Sequence, residues 1–154
     1  MEPLEPPALH QAQAAYGWLE LGNVEEAFAE LERLPEELQS LLAVQAVRLD
    51  CLMAAKDWNA AVKLAQVLCG QWAEEPGLWL HHAYAARRCA GGSIEAAYEL
   101  LAPCVERFPE EWLIPYNVAC YLCQMERLDE ARAMLEMARA KGGEQRGRGA
   151  HRAH

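Results

Sequence analysis

The sequence carries none of the signatures of an enzyme. It has no glycine-rich phosphate loop, no nucleophile elbow and no His-Glu metal motif, so no catalytic residue, resident metal or cofactor is expected. Its opening, MEPLEPPALH, lacks the basic-plus-apolar pattern of a secretory signal, and no run approaches the roughly 18 apolar residues that span a bilayer. A soluble, cytoplasmic protein with no membrane partner is expected. Positive charge is scarce, with 14 Lys and Arg against 23 Asp and Glu for a net charge of −9. Residues 142–154 hold Arg146, Arg148 and Arg152 against Glu144, which leaves −11 on the rest. Such a body repels phosphate backbones and anionic membranes, so no nucleic acid is expected on it; it favours solubility and a basic partner.

What is present is apolar and small. Hydrophobic residues make up 53% of 154 residues, enough for a real core, and the 28 alanines favour closely packed helices over a sheet of β-branched residues. All-α is the expected class. The cysteines, Cys51, Cys69, Cys89, Cys104, Cys120 and Cys123, then read mainly as reduced, buried small hydrophobes and not as a disulfide framework.

Residues 1–7 hold three prolines and are expected to be extended, with a first helix from Ala8 to Leu21. Asn23 caps a short second helix that carries Phe28 and Leu31 and breaks at Pro35. A third helix is expected from Glu36 to Ala55, and a fourth, capped by Asp57, from Trp58 to Cys69. Helix five covers Leu78 to Ala90, Gly91-Gly92-Ser93 turns and caps, and helix six covers Ile94 to Arg107 with a kink near Pro103. In helix seven Pro115 is either tolerated in the first turn or delays the regular start. Leu128, Ala131, Leu135 and Ala138 form the apolar stripe of helix eight, which is expected to end near Lys141, followed by a flexible basic tail over 142–154.

Aligning the turns LGNVEEAF, AKDWNAAV, GGSIEAAY and MERLDEAR places Ala27, Ala61, Ala97 and Ala131 in register at spacings of 34, 36 and 34 residues. A small residue there lets the second helix of a pair lie close to the first. A 34-residue helix-turn-helix period resembles the tetratricopeptide repeat (TPR) family. The family's bulky apolar residue one turn after the alanine is matched by Leu31, Leu101 and Leu135, with Ala65 in the second copy, and its small first-helix contact by Ala15, Ala85 and Ala119, with Leu49 in the second copy. The resemblance implies a right-handed α-α superhelix of about eight helices in four antiparallel pairs. The repeat domain spans 8–141, with repeats at about 8–41, 42–77, 78–111 and 112–141.

The resemblance further implies a non-enzymatic interaction scaffold that binds a peptide or helix of a partner protein in a concave groove lined by the first helices. The register places Leu9, Ala12, Tyr16 and Leu19 there in repeat one, and Ala43, Ala46, Asp50 and Met53 in repeat two. Repeat three contributes Trp79, His82, Ala86 and Cys89; repeat four contributes Tyr116, Asn117, Cys120 and Gln124. Tyr16, Trp79 and Tyr116 read equally as inter-helix packing residues, and Asn117 as a clamp on a peptide backbone. Family members that hold a partner's terminal carboxylate use a basic set in the groove. Arg48, Arg87 and Arg88 fall on other faces, so that activity does not carry over. Small acidic chaperones of the bacterial type III secretion kind share these traits and form the alternative reading.

Cys120 and Cys123 share a helix face and could join Cys89 and His82 as soft ligands for zinc. Zinc knuckles place such pairs on tight turns, and redox pairs sit at helix N-termini, whereas this pair lies mid-helix. Buried thiols are the preferred reading.

Overall fold

The computed structural model describes residues 4–146, and every regular element among them is helical. In chain order these are α1 (Pro6–Glu20), α2 (Val24–Glu32), a 3-10 turn (Glu36–Leu38), α3 (Leu42–Ala54), α4 (Trp58–Gln71), α5 (Pro76–Arg88), α6 (Ile94–Leu101), α7 (Cys104–Arg107), α8 (Leu113–Gln124) and α9 (Leu128–Arg146). α6 and α7 are the two parts of the expected sixth helix. They separate at Ala102-Pro103, where proline has no N–H to continue the ladder. The eight expected helices in four pairs are therefore present.

The chain divides into two compact units, Met1–Trp72 and Ala73–His154, each holding two helical pairs. In the first, α1 packs on α2 and α3 on α4, while α3 also touches α1 and α2. Its core joins Ala15 of α1, Ala27 and Leu31 of α2, and Val44, Val47 and Cys51 of α3. In the second, α5 packs on α6, α8 on α9, and α6 on α8. Ala83, Ala97, Leu101, Ile114, Val118, Leu122 and Ala131 form that core. Full burial of one such leucine, for example Leu101, is worth about 1.5 to 3 kcal/mol.

The register alanines behave alike in all four pairs. Ala27, Ala61 and Ala97 are wholly buried and Ala131 nearly so, as are Ala15, Leu49, Ala85 and Ala119 on the first helices. The period is thus a burial period: each copy buries the same two register positions.

The turns repeat as well. After α1, the Gly22 N–H bonds to Leu19 O and the Asn23 N–H to Trp18 O, with Gly22 in the left-handed region at φ 79°. Lys56 (φ 58°) with Asp57, and Glu126 (φ 60°) with Arg127, close α3 and α8 by the same pair of bonds. Asn23, Asp57 and Ser93 cap the following helices by accepting from the N–H groups of Glu26, Ala60 and Ala96 at 3.1, 3.3 and 3.0 Å. The third turn differs: α5 ends in extended Cys89, and Gly92 lies so close to the helix end that a Cβ there would sit 2.1 Å from the Ala86 carbonyl oxygen.

Several helix boundaries differ from expectation: α4 runs on to Gln71 and α5 is shifted to Pro76–Arg88, and three others have a visible cause. α1 begins at Pro6, not Ala8, because prolines at the first helical positions sacrifice no hydrogen bond. α3 begins at Leu42, not Glu36, because Gln39 is drawn back onto the preceding helix: its Nε2 donates to Leu31 O at 2.7 Å and Leu34 O at 3.1 Å. α9 runs through Gly142 to Arg146, five residues beyond Lys141. Gly142 rests on the Trp112 ring, where a Cβ would still find 3.7 Å, so packing offsets the glycine's low helix propensity. Most of the expected tail, residues 147–154, lies outside the described residues.

Candidate functional site

In the first unit the first helices α1 and α3 lie side by side, and their register equivalents meet directly. Tyr16 Oη donates to Asp50 Oδ2 at 3.0 Å, across one repeat of 34 residues. Tyr16 stays 42% exposed and Leu9, two turns earlier, is exposed on the same helix; Asp50, Met53, Ala43 and Ala46 are half-buried on α3. Ala12 is buried and serves packing. The face is thus apolar with one hydrogen-bonded polar pair.

In the second unit α5 and α8 carry the other candidates. Trp79 is half-buried against the core and its Nε1 donates to Ala73 O at 2.9 Å, while the Arg107 guanidinium lies 4.8 Å over its ring. These contacts fix its ring as part of the packing. His82 lies beside it, ring centroids 6.4 Å apart, and is buried with Nδ1 unpartnered. Burial holds its pKa below the usual histidine value, so the ring is neutral near pH 7. Ala86 is buried and Cys89 half-buried.

On α8, Tyr116 is 40% exposed and meets Trp112 edge-on at 6.1 Å. Asn117 is half-buried, and its Nδ2 donates to Leu113 O of its own helix at 2.8 Å, so that amide donor is already engaged. Gln124 is exposed. Of the three aromatics that spacing placed alike, Tyr16 and Tyr116 are exposed and Trp79 is packed, and spacing could not show which polar groups the fold itself would consume.

The thiols fall into two classes. Cys51, Cys69 and Cys104 are buried; burial pushes the Cys51 thiol up to about 11 and raises that of Cys104. Cys120 is half-buried, its thiol raised by burial and by neighbouring Cys123, against a lowering hydrogen bond from Tyr116 and the Arg87 charge. Cys123 is exposed, and Cys89 Sγ donates to Ala86 O at 3.6 Å. Among the described residues no three His, Cys, Asp or Glu side chains gather as metal ligands, so His82, Cys89, Cys120 and Cys123 do not form one cluster.

Two of the arginines that the sequence sets on other faces are engaged within the fold. Arg48 bonds Glu32 at 3.1 Å and Gln39 at 2.6 Å, and Arg88 stacks 3.5 Å over the Tyr84 ring. α9 departs from its expected stripe: Ala131 and Ala138 are buried, whereas Leu128 and Leu135 are exposed. The repeat register holds the signal for this, because Leu135 is the counterpart of Leu31 and Leu101, which are covered by α3 and α8. No described helix is long and apolar enough to cross a membrane.

No family model matches the sequence, and no curated protein does. Among solved structures, the chain is similar to a crystal structure of MamA with a TM-score of 0.73 at 11% identity, over 91% of this chain and 81% of that one. A MamA RS-1 double mutant gives 0.72 at 12% identity over 90% and 76%, and MamA MSR-1 gives 0.67 at 16% over 88% and 76%. Identities this low carry the fold and no more: the chain has the helical-repeat solenoid fold of the MamA structures.

Proposed function

We propose that this chain is a tetratricopeptide-repeat protein that acts as a non-enzymatic scaffold, binding a peptide or helix of a partner protein along its first helices. The observation that carries the reading is the exposure of Tyr16 and Tyr116. Large apolar side chains left in solvent at first-helix positions of the register make good anchors, because they bury much area at little rotamer cost. The site lies on α5 and α8, with Tyr116 as the anchor, Asn117 and Cys120 beside it, and Trp79 and His82 as the supporting wall. In the first unit Tyr16, Asp50 and Met53 form the corresponding face. The net charge of −9 draws a basic partner towards these faces, and their exposed aromatic rings suit an apolar one.

Affinity capture from the native source with wild-type protein and the variants Tyr116→Ala, Trp79→Ala and Glu99→Lys tests the reading. Tyr116→Ala weakens capture by about 1 to 3 kcal/mol, in the range of interface anchors, and Glu99→Lys, on exposed second-helix surface, changes it much less. Trp79→Ala must be read beside its melting temperature, since its ring is also packed. Normal binding by the folded Tyr116→Ala variant defeats the proposal. Recovery of one secreted, aggregation-prone protein, instead of components of an intracellular assembly, turns the reading to the type III secretion chaperone.

A further inference from the structure

We infer that the edge of α9 formed by Leu128, Arg132, Leu135 and Arg139 is a second docking surface, and that its occupant is an amphipathic helix of a partner protein whose β-branched apolar residues are flanked by carboxylates. At about 100° per residue these four side chains fall within an arc of about 60°, at the margin of the buried stripe of Ala131 and Ala138.

The repeat itself says what covers such an edge. Leu31 of α2 is wholly buried in a core shared with Val44 of α3, and Leu101 of α6 in one shared with Ile114 and Val118 of α8. Val44 and Ile114 occupy the same register position, so twice within the chain this leucine is covered by a helix presenting a β-branched residue. Leu135 has the same place in the register and is 43% exposed; Leu128, counterpart of Val24 and Ile94, is also exposed.

The other two positions of the edge have changed character. Arg132 stands where Phe28 and Tyr98 stand, and Arg139 where Val105 stands, so apolar contacts give way to cations while both leucines remain. Both arginines are exposed, and on a body of net −11 they set two cations on this edge, with Glu136 bordering them on the side away from the leucines. A face built only to meet water would have lost the leucines too. Leucines interleaved with arginines match a helix that is apolar at its centre and acidic at its margins. The first helix of a second copy offers no such face: α1 places His10 where Val44 and Ile114 stand and has no acidic residue before Glu20.

The test uses the full chain and two labelled synthetic helical peptides. Both carry isoleucine and valine at the spacing of Ile114 and Val118, one with glutamates on the flanks and the other with lysines. By fluorescence anisotropy the glutamate peptide binds at least about tenfold tighter than the lysine peptide. Leu128→Ser with Leu135→Ser weakens it at least about tenfold. Arg132→Glu with Arg139→Glu, two exposed sites whose exchange leaves the helical signal intact, reverses the preference. Tyr116→Ala changes none of this, which separates the surface from that on α5 and α8. Absent binding of the glutamate peptide, equal affinity for both peptides, or indifference to the leucine variants overturns the inference. Sedimentation showing a dimer lost in Leu135→Ser also overturns it, in favour of a second copy.

Discussion

Tyr16 and Asp50 are one repeat period apart in sequence and 3.0 Å apart in space, so the same register position on consecutive first helices is joined by a hydrogen bond. The bond is exposed to solvent, and its net contribution is modest. Tyr16→Phe and Asp50→Ala each cost about 0.5 to 1 kcal/mol in urea unfolding, and the double variant costs little more than either single one. Strict additivity of the two losses would show that the pair does not act as one contact.

The register alanines Ala27, Ala61, Ala97 and Ala131 are buried without room for a larger side chain. Ala97→Leu, at a wholly buried position, costs about 1 to 3 kcal/mol by overpacking, whereas Ala133→Leu on exposed α9 surface stays within about 0.5 kcal/mol. Thermal unfolding followed by circular dichroism compares them directly.

Two of the turns hold a side chain where glycine would fit better. Lys56→Gly and Glu126→Gly relieve the left-handed backbone at φ 58° and 60° and raise stability by about 0.5 to 1 kcal/mol, part of the relief being lost to the entropy of the unfolded glycine. Gly92→Ala acts in the opposite direction, since its Cβ would meet the Ala86 carbonyl. Denaturant midpoints of the three variants should therefore bracket the wild type.

His82 makes stability depend on pH. Burial lowers its folded pKa below the unfolded value near 6.5, so the unfolded chain binds the proton more readily. The contribution is fully present above about pH 6.5 and is lost as the pH falls towards and through the folded value. Urea midpoints for wild type fall between pH 8 and pH 5 more steeply than those of His82→Phe; parallel profiles would show that another group carries the dependence.

Much of this architecture was legible because it is periodic. The four alanines, the caps Asn23, Asp57 and Ser93, and the break at Pro103 each rest on a local rule that tertiary packing did not override. What escaped the sequence depends on a single side chain finding a partner far along the chain. Gln39 folds back to the carbonyls that end α2 and delays α3, and Trp112 supports the helix through Gly142. At the candidate site spacing treated Tyr16, Trp79 and Tyr116 alike, whereas Trp79 is packed and the two tyrosines are exposed. The uses of Trp79 Nε1 and Asn117 Nδ2 within the fold did not follow from spacing, since a donor's choice between a partner protein and a nearby carbonyl is invisible in a pattern of apolar residues.

The thiols supply an independent check on packing. Exposed Cys123 reacts first with iodoacetamide, while Cys51, buried and pushed up to about 11, reacts only when its unit opens. Mass spectrometry of timed alkylation resolves the order, and early modification of Cys51 would contradict the core assigned to α1, α2 and α3.

The central claim, that a partner protein lies along the first helices, is tested most directly by site-specific photocrosslinking in the native source, with a benzophenone side chain at Tyr116 or, as control, at Glu99. Both positions are exposed, one on α8 and the other on α6. The account predicts a discrete crosslinked protein from position 116 and little from position 99. Equal products from both positions, or products from position 99 alone, would contradict it.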